Sequence, residues 1–332
     1  MGGLTAGRAE PTFADVLAAR RRLRPHLRPT PFLESGPLGD LLGLRLWIKY
    51  ENVQPTVAFK VRGTLNRMLA LSDEERDQGV VTASAGNHGQ GVSWSARLLG
   101  VRATVVAPER ANPDKVEAMR ILGAEVLLWG RDFDEADEKA RELEREKGFV
   151  YFHAADDPWI IAGHGTAGLE MLEQEPALDT LVIPLGAGGL ISGVALAAKS
   201  MRPDIEVVGV QAAGCAPFFR SRQEGRMTDV ERADTFADGL ASRHPTELPY
   251  RMIDRLVDEI VVTTDEEIRR AVVLLLEKAH HLAEGAGAAG TAGVAKLRDR
   301  LAGRRVGTIL SGGNLNRRVL ERALTDPGSW SS

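Results

Sequence analysis

The chain has 332 residues, about twice the usual domain size, with 43% hydrophobic and 27% charged residues. That composition excludes a predominantly disordered chain and allows a sizeable buried core. Lys and Arg total 42 against 46 Asp and Glu, a net charge of −4, which gives no general electrostatic reason to bind nucleic acid or an anionic membrane.

No apolar run approaches the length of a membrane span, and the first residues, MGGLTAGRAEPTF, lack the apolar core of a signal peptide and read as a loose tail. The single cysteine, Cys215, rules out an intramolecular disulfide and suits a reducing cytoplasm. The first predicted element is a helix from Thr12 to about Leu27. Thr12 and Asp15 form a capping-box-like pair, and Phe13, Val16, Leu17 and Leu23 share one face. Arg20, Arg21, Arg22 and Arg24 read as a solvated face of that helix rather than a nucleic-acid patch, given the acidic total. Pro25, Pro29 and Pro31 lead into extended chain.

Leu44–Tyr50 alternates like a strand, and Val80–Ser84 is a short strand running into the loop Ser84–Gly91. A helix follows to Leu99, with Gly100 as its stop. Ala103–Ala107 is a strand, Asn112 and Pro113 start a helix that Gly123 ends, Glu125–Trp129 is a strand and Asp132–Lys147 a charged helix. The alternation resumes with a buried-type strand Leu181–Leu185, the loop Gly186–Leu190, a helix to about Ser200 and the strand Glu206–Gln211. Residues 212–250 read as irregular, with a strand at Glu259–Val262, a helix at Glu266–His281, a Gly/Ala-rich run at Gly285–Gly293 and a last strand Arg305–Leu310 that ends at Ser311–Asn314. The pattern is that of two parallel α/β units sharing one cleft. Three loops, 84–91, 186–190 and 311–314, each directly follow a strand, where ligands of open parallel sheets sit.

Each loop has an ordinary reading and a chemical one. Gly186-Ala187-Gly188-Gly189 is a tight strand–helix turn whose backbone N–H groups and helix dipole also suit a phosphate. The dinucleotide fingerprint fails because residue 191 is Ile, and no Gly-Lys-Ser/Thr follows for a P-loop, which disfavours a nicotinamide dehydrogenase. Ser84-Ala85-Gly86-Asn87-His88 is a capped helix start that could also hold a carboxylate, with Asn87 free to bond an oxygen on a bound ring. His88 without a partner carboxylate reads as structural. Lys60, in ENVQPTVAFKVRG, is either a solvated charge or an amine whose pKa desolvation lowers into nucleophile range. Ser311 is a helix cap or a donor to a ring nitrogen. No His/Cys cluster has metal spacing, so no metal site is expected.

Taken in order, the run Gln54–Gly63, then SAGNHGQG, GAGGL and SGGN, resembles the fold type II pyridoxal-phosphate enzymes, and within them the threonine/serine dehydratase group, from about residue 12 to about residue 320. The resemblance implies an α/β fold of two open parallel-type domains, like the tryptophan synthase β chain, with pyridoxal 5'-phosphate in the cleft between them. It places the large, cofactor-binding domain at 1–75 plus 154–332 and a small mobile one at 76–153. It implies that Lys60 holds the cofactor covalently, that Phe59 packs beside the pyridine ring, that Asn87 bonds the ring hydroxyl oxygen, and that Gly186, Ala187, Gly188, Gly189 and Leu190 cradle the phosphate. Ser311 is expected at the ring nitrogen, Ser84, Ala85, Gly86 and His88 around the substrate carboxylate, and Gly239 and Glu284 near the reacting end of the cofactor. A Ser at the ring nitrogen need not enforce a full pyridinium, which favours β-elimination over transamination.

The implied activity is removal of water from a β-hydroxy-amino acid, threonine or serine, giving a 2-oxo acid and ammonia in a cytoplasmic homodimer or homotetramer. Several positions depart from the family pattern. Val57 and Ala58 stand where Gly and Ser are usual beside the lysine, and Ala187 where a Gly is frequent. Ala85 replaces the second Ser of racemizing relatives, and Gln211 replaces the Glu of relatives with a cation site. The chain stops soon after SGGN, so no C-terminal regulatory domain is expected. The Val57/Ala58 change keeps open a dehydratase for a specialised substrate such as hydroxyaspartate, with a β-replacement synthase as a further option. Outside catalysis, the alternative is a module that binds the cofactor or another phosphorylated ligand without turnover.

Overall fold

The structure is a computed structural model that describes residues 9–325. It opens with α1 (Phe13–Leu23), β1 (Phe32–Glu34), α2 (Gly36–Leu42), β2 (Arg45–Tyr50), α3 (Lys60–Leu69) and α4 (Asp73–Gln78). An alternating stretch follows: β3 (Val80–Ala83), α5 (Asn87–Leu99), β4 (Ala103–Ala107), α6 (Pro113–Ile121), β5 (Glu125–Leu128), α7 (Phe133–Lys147) and β6 (Val150–Tyr151). The chain then runs through α8 (Pro158–Gln174), β7 (Thr180–Pro184), α9 (Gly189–Met201), β8 (Glu206–Ala212), α10 (Pro217–Glu224), α11 (Glu247–Leu256), β9 (Glu259–Thr263), α12 (Asp265–Lys278), α13 (Gly285–Lys296), β10 (Arg305–Leu310) and α14 (Arg317–Thr325).

Two sheets form. One has the order β1-β2-β10-β7-β8-β9, with β1 antiparallel to β2 and all other pairs parallel; the other has the parallel order β5-β4-β3-β6. Helices cover both faces of the six-stranded sheet, so β7 is buried at every position, as a parallel strand between two helix layers must be. Period-two alternation divides its side chains: Leu181 and Ile183 pack with α8, α9 and α11, whereas Val182 packs with α12 and α13. In the four-stranded sheet Val80 faces α5 and α6, and Val81 faces α7. Helix α3 joins the two cores: Met68 packs into the smaller sheet's core, while Val61 and Leu65 pack against Leu23 and Leu27. Among the described residues no helix is long and apolar enough to cross a membrane.

The capping box at Thr12 forms, with the Thr12 N–H donating to Asp15 Oδ2 at 2.8 Å, but the helix ends at Leu23 rather than near Leu27. Residues 212–250, read as irregular from the sequence, are not wholly so, because α10 and the start of α11 lie there; the Gly/Ala-rich run from Gly285, to which the sequence assigned no element, is the helix α13. Helix α8 has no counterpart among the predicted elements. It is buried on nearly all sides, so no 3.6-residue apolar stripe marks it, and its glycines serve close packing. A Cβ on Gly163 would stand 2.4 Å from the Arg62 carbonyl oxygen, so α8 can lie against α3 only with glycine there.

Candidate active site

Lys60 is the first residue of α3, and its position is fixed by the segment before it. Ala58 bridges to Gly312, the Phe59 N–H donates to the Ser311 carbonyl at 3.0 Å, and the Gly313 N–H donates to the Val57 carbonyl at 2.9 Å. The loop after β10 is thereby stitched to the lysine segment. The Lys60 Nζ donates to the Ala154 carbonyl at 3.3 Å and lies 5.1 Å from the centre of the Phe59 ring. Burial lowers the amine to about pH 8, and the Glu284 carboxylate opposes that shift. Capture of an aldehyde needs the unprotonated amine. The rate of cofactor uptake by the cofactor-free protein is therefore expected to rise with pH and level off above about 8, rather than near the ordinary lysine value; stopped-flow absorbance across pH 6–10 checks this.

Val57 has a φ of 56°, a left-handed conformation that a β-branched side chain resists. The position thus calls for the Gly that the family pattern has, and the departure falls on backbone strain in a half-exposed turn. Relief of about 1–2 kcal/mol of strain, less about 0.5–1 kcal/mol for the extra freedom of the unfolded glycine, leaves Val57→Gly more stable by about 0.5–1 kcal/mol. Denaturant unfolding of the two proteins measures it. Ala58 is fully buried and bridges to Gly312 in the loop after β10.

The other predicted residues gather around this amine. Asn87, the first residue of α5, donates through Nδ2 to Glu284 Oε1 and accepts from Asn314 Nδ2 at 2.8 Å. Glu284 caps the start of α13, its N–H bonded to the Gly312 carbonyl at 3.1 Å. Burial raises its carboxyl to about 7, and Oε2 has no partner. Ser311, at the end of β10, is buried and donates to the Ala286 carbonyl at 3.3 Å. Gly186–Leu190 turns from β7 into α9, with Gly188 at φ 92° and no side-chain cap on the N-terminus of α9, which leaves helix-end N–H groups for an anion. A Cβ on Gly186 would stand 2.6 Å from the Gly239 carbonyl, so Gly239 packs against this loop.

Ser84 Oγ accepts from the Gly86 N–H at 3.1 Å and the Gly89 N–H at 2.9 Å, so the hydroxyl caps the start of α5 and keeps its own proton to donate. His88 is buried, its Nε2 lies 3.2 Å from the Phe152 carbonyl, and Nδ1 has no partner. Burial and then the Lys60 charge push it to about 3, so it is neutral. Ala85 sits in the same turn. Gln211 spends its side-chain carbonyl on the Phe219 N–H at 2.8 Å.

Four features escaped sequence reasoning. The ring of His164, on α8, is fully buried and meets the Phe59 ring edge-on, centroids 4.7 Å apart. A polar residue inside an apolar helix was the one available signal. Ala154 and Ala155 line the cleft beside Lys60 and Gly189. Lys115 on α6 pairs with Asp238, and its Nζ lies 3.7 Å from where a Cβ on Gly86 would stand. Behind Lys60, Arg62 grips Glu51 and Glu170, and Glu170 also holds Lys49, all buried. Burial alone would lower Arg62, but the two carboxylates outweigh it and raise it above its ordinary value.

The cleft therefore holds buried polar atoms without protein partners: His88 Nδ1, both nitrogens of His164 and Glu284 Oε2. Together with a depressed amine and a small-residue turn at a helix N-terminus, they fit a planar guest carrying an aldehyde, ring substituents and a phosphate. Comparison with known proteins agrees. L-threonine ammonia-lyase of Thermotoga maritima is 42% identical over 313 residues, 94% of this chain and 78% of that protein. L-threo-3-hydroxyaspartate ammonia-lyase of Saccharomyces cerevisiae is 39% identical over 306 residues, 92% of this chain and 94% of that one. The processed threonine deaminase isoform 2 of Solanum lycopersicum superposes with a TM-score of 0.91 at 33% identity, covering 98% of this chain and 93% of that one. The family profile described as "Pyridoxal-phosphate dependent enzyme" matches residues 23–312, and the chain belongs to that family.

Proposed function

We propose that this enzyme is an ammonia-lyase that removes water from L-threonine or L-serine and releases a 2-oxo acid and ammonia. The observation that carries the reading is the convergence of Lys60, Asn87, Ser311 and the 186–190 loop on one cleft, in a chain 42% identical to a threonine ammonia-lyase. Lys60 holds the cofactor through its amine, the N–H groups of 186–190 hold the phosphate, Asn87 the ring hydroxyl, and Ser311 the ring nitrogen. When bound, the cofactor withdraws electrons from the substrate's Cα. The Ser84 hydroxyl and the backbone N–H groups of 85–88 bind the substrate carboxylate. Once freed by the substrate's amine, the Lys60 amine would serve as the base for the Cα proton, and its lowered pKa suits that role near neutral pH. Neutral His88 adds no charge that would compete with the carboxylate. Loss of the β-hydroxyl as water leaves an enamine, whose hydrolysis gives the two products.

Residues 76–153 act as the smaller unit that closes over the substrate. Contacts run from this segment to the 238–244 stretch: Lys115 with Asp238, and Asp134 with Arg243 and, at 3.6 Å, with His244. The enzyme works in the cytoplasm as a homodimer or homotetramer, a setting that the free, buried Cys215 suits. Sedimentation of the purified protein reads the oligomer.

A second substrate reading has its own support. The Lys115 ammonium beside Gly86 could receive the side-chain carboxylate of a 3-hydroxyaspartate, the substrate named for the yeast relative. A panel of hydroxyamino acids, scored for ammonia and 2-oxo acid without a second substrate, separates the two. Highest kcat/KM on threonine or serine supports the first, and highest on threo-3-hydroxyaspartate supports the second. Turnover of none, in protein that holds the cofactor, leaves only a binding module.

A further inference from the structure

We propose that His164 donates a hydrogen bond to the phosphate of the bound cofactor, a role that rests on the reading of the 186–190 loop as the phosphate cradle. The imidazole sits in the middle of α8, fully buried, and neither ring nitrogen has a hydrogen-bond partner in the protein. A buried polar group left unpaired is costly, so an orphaned imidazole in a ligand cleft marks a missing partner. Its surroundings define where that partner stands. One edge meets Phe59, the neighbour of Lys60. Nδ1 lies 3.4 Å from the point where a Cβ on Gly189 would stand, so this nitrogen abuts the floor of the glycine loop. Nε2 lies 2.5 Å from the corresponding point on Gly63, packed against the Cα of α3.

The two nitrogens therefore differ. A neutral imidazole carries one N–H and one bare nitrogen. The bare nitrogen belongs against the Gly63 Cα, where an N–H would be pressed into carbon, and the N–H belongs at Nδ1, toward the loop. Burial and the neighbouring Lys60 charge outweigh the opposite pull of the Gly189 backbone, which the ring abuts, and keep the ring neutral, so it serves the phosphate as a donor and not as a counter-charge. The α9 N-terminus, which starts at the Gly189 this ring abuts, has no side-chain cap. His164 thereby adds a side-chain donor to a site otherwise made of backbone N–H groups, and ties the phosphate to α8.

The test compares pyridoxal 5'-phosphate with pyridoxal, which lacks the phosphate, on cofactor-free wild type, His164→Ala and His164→Gln, by absorbance titration of the lysine adduct. The expected result is an affinity loss of about 10- to 100-fold for the phosphorylated compound in His164→Ala, in the range of a hydrogen bond to a charged acceptor, with less than about 2-fold change for pyridoxal. His164→Gln, which can again donate, recovers part of the loss. Equal weakening of both compounds, or of neither, overturns the proposal. Should the Ala variant fail to fold, wild-type protein with ¹⁵N-labelled histidine decides it, the signal being assigned with the Gln variant. The His164 Nδ1 resonance must differ between protein loaded with the phosphate and protein loaded with pyridoxal, and identical resonances overturn the proposal. Wild type that takes up neither compound overturns the cofactor site itself along with it, whereas a lysine adduct with unselective variants removes only the role of His164.

Discussion

Lys60→Ala is expected to lower kcat for ammonia release from threonine by on the order of 10²–10⁴, the scale of losing a positioned base in proton transfer. On the proposed mechanism the substitution removes both the amine that carries the cofactor and the base that takes the Cα proton, so both functions go together. It leaves the scaffold intact. Alanine is the best helix former at the first turn of α3, and the backbone bonds of Val57 and Phe59 to the 311–313 segment do not involve the lysine side chain. Burial of an ammonium is also relieved, so the variant should fold at least as well as wild type by circular dichroism. An added small primary amine is expected to restore part of the rate, because it supplies the missing base without the tether. A variant that keeps wild-type turnover would contradict the mechanism.

Arg62→Met is expected to destabilise the protein by about 3–5 kcal/mol, the cost of leaving a buried ion cluster without one partner. The guanidinium donates from Nε to Glu51 Oε2 at 2.7 Å, from Nη2 to Glu51 Oε1 at 2.8 Å, and from Nη1 and Nη2 to the two oxygens of Glu170, each at 2.7 Å. Lys49 completes the group through Glu170 at 2.7 Å and the Thr30 carbonyl at 2.7 Å. Two cations thus balance two carboxylates with little water nearby. Methionine fills the volume but leaves two carboxylates facing one ammonium. Arg62→Lys is not expected to rescue it, because a single ammonium cannot grip two carboxylates in bidentate fashion. Denaturant unfolding checks both variants, and a change below about 1 kcal/mol in Arg62→Met would show that the cluster rearranges freely. Arg62 lies two residues beyond Lys60 on α3, so the same variant should also loosen the position of the reactive amine.

Strands β3, β4 and β5 of the smaller sheet and β7, β8 and β10 were legible because short apolar runs stop at turn residues, as in Val80–Ala83 before Ser84 and Leu181–Pro184 before Gly186, whereas the two-residue β6 is too short to show a pattern. Helices α8 and α13 were not, since helices buried on most sides lose their amphipathic stripe and their glycines look like loop signals until close packing explains them. The candidate residues that a local motif carries, Lys60, Asn87 and Ser311, could be picked out from the sequence, and the structure brings them together. Those defined by distant partners were not: Arg62 meets Glu170 across 108 positions, and Lys115 meets Asp238 across 123. His164 belongs with them, because its neighbours Phe59 and Gly189 come from two other elements. Val57 was visible as a departure, but its meaning depended on a backbone angle that no residue type states.

The most direct test is borohydride reduction of the protein loaded with pyridoxal 5'-phosphate, followed by peptide mass spectrometry. The account predicts loss of the visible absorbance band and a single reduced phosphopyridoxyl adduct on Lys60. An unmodified Lys60 peptide, or the adduct on another lysine with turnover intact, would contradict it.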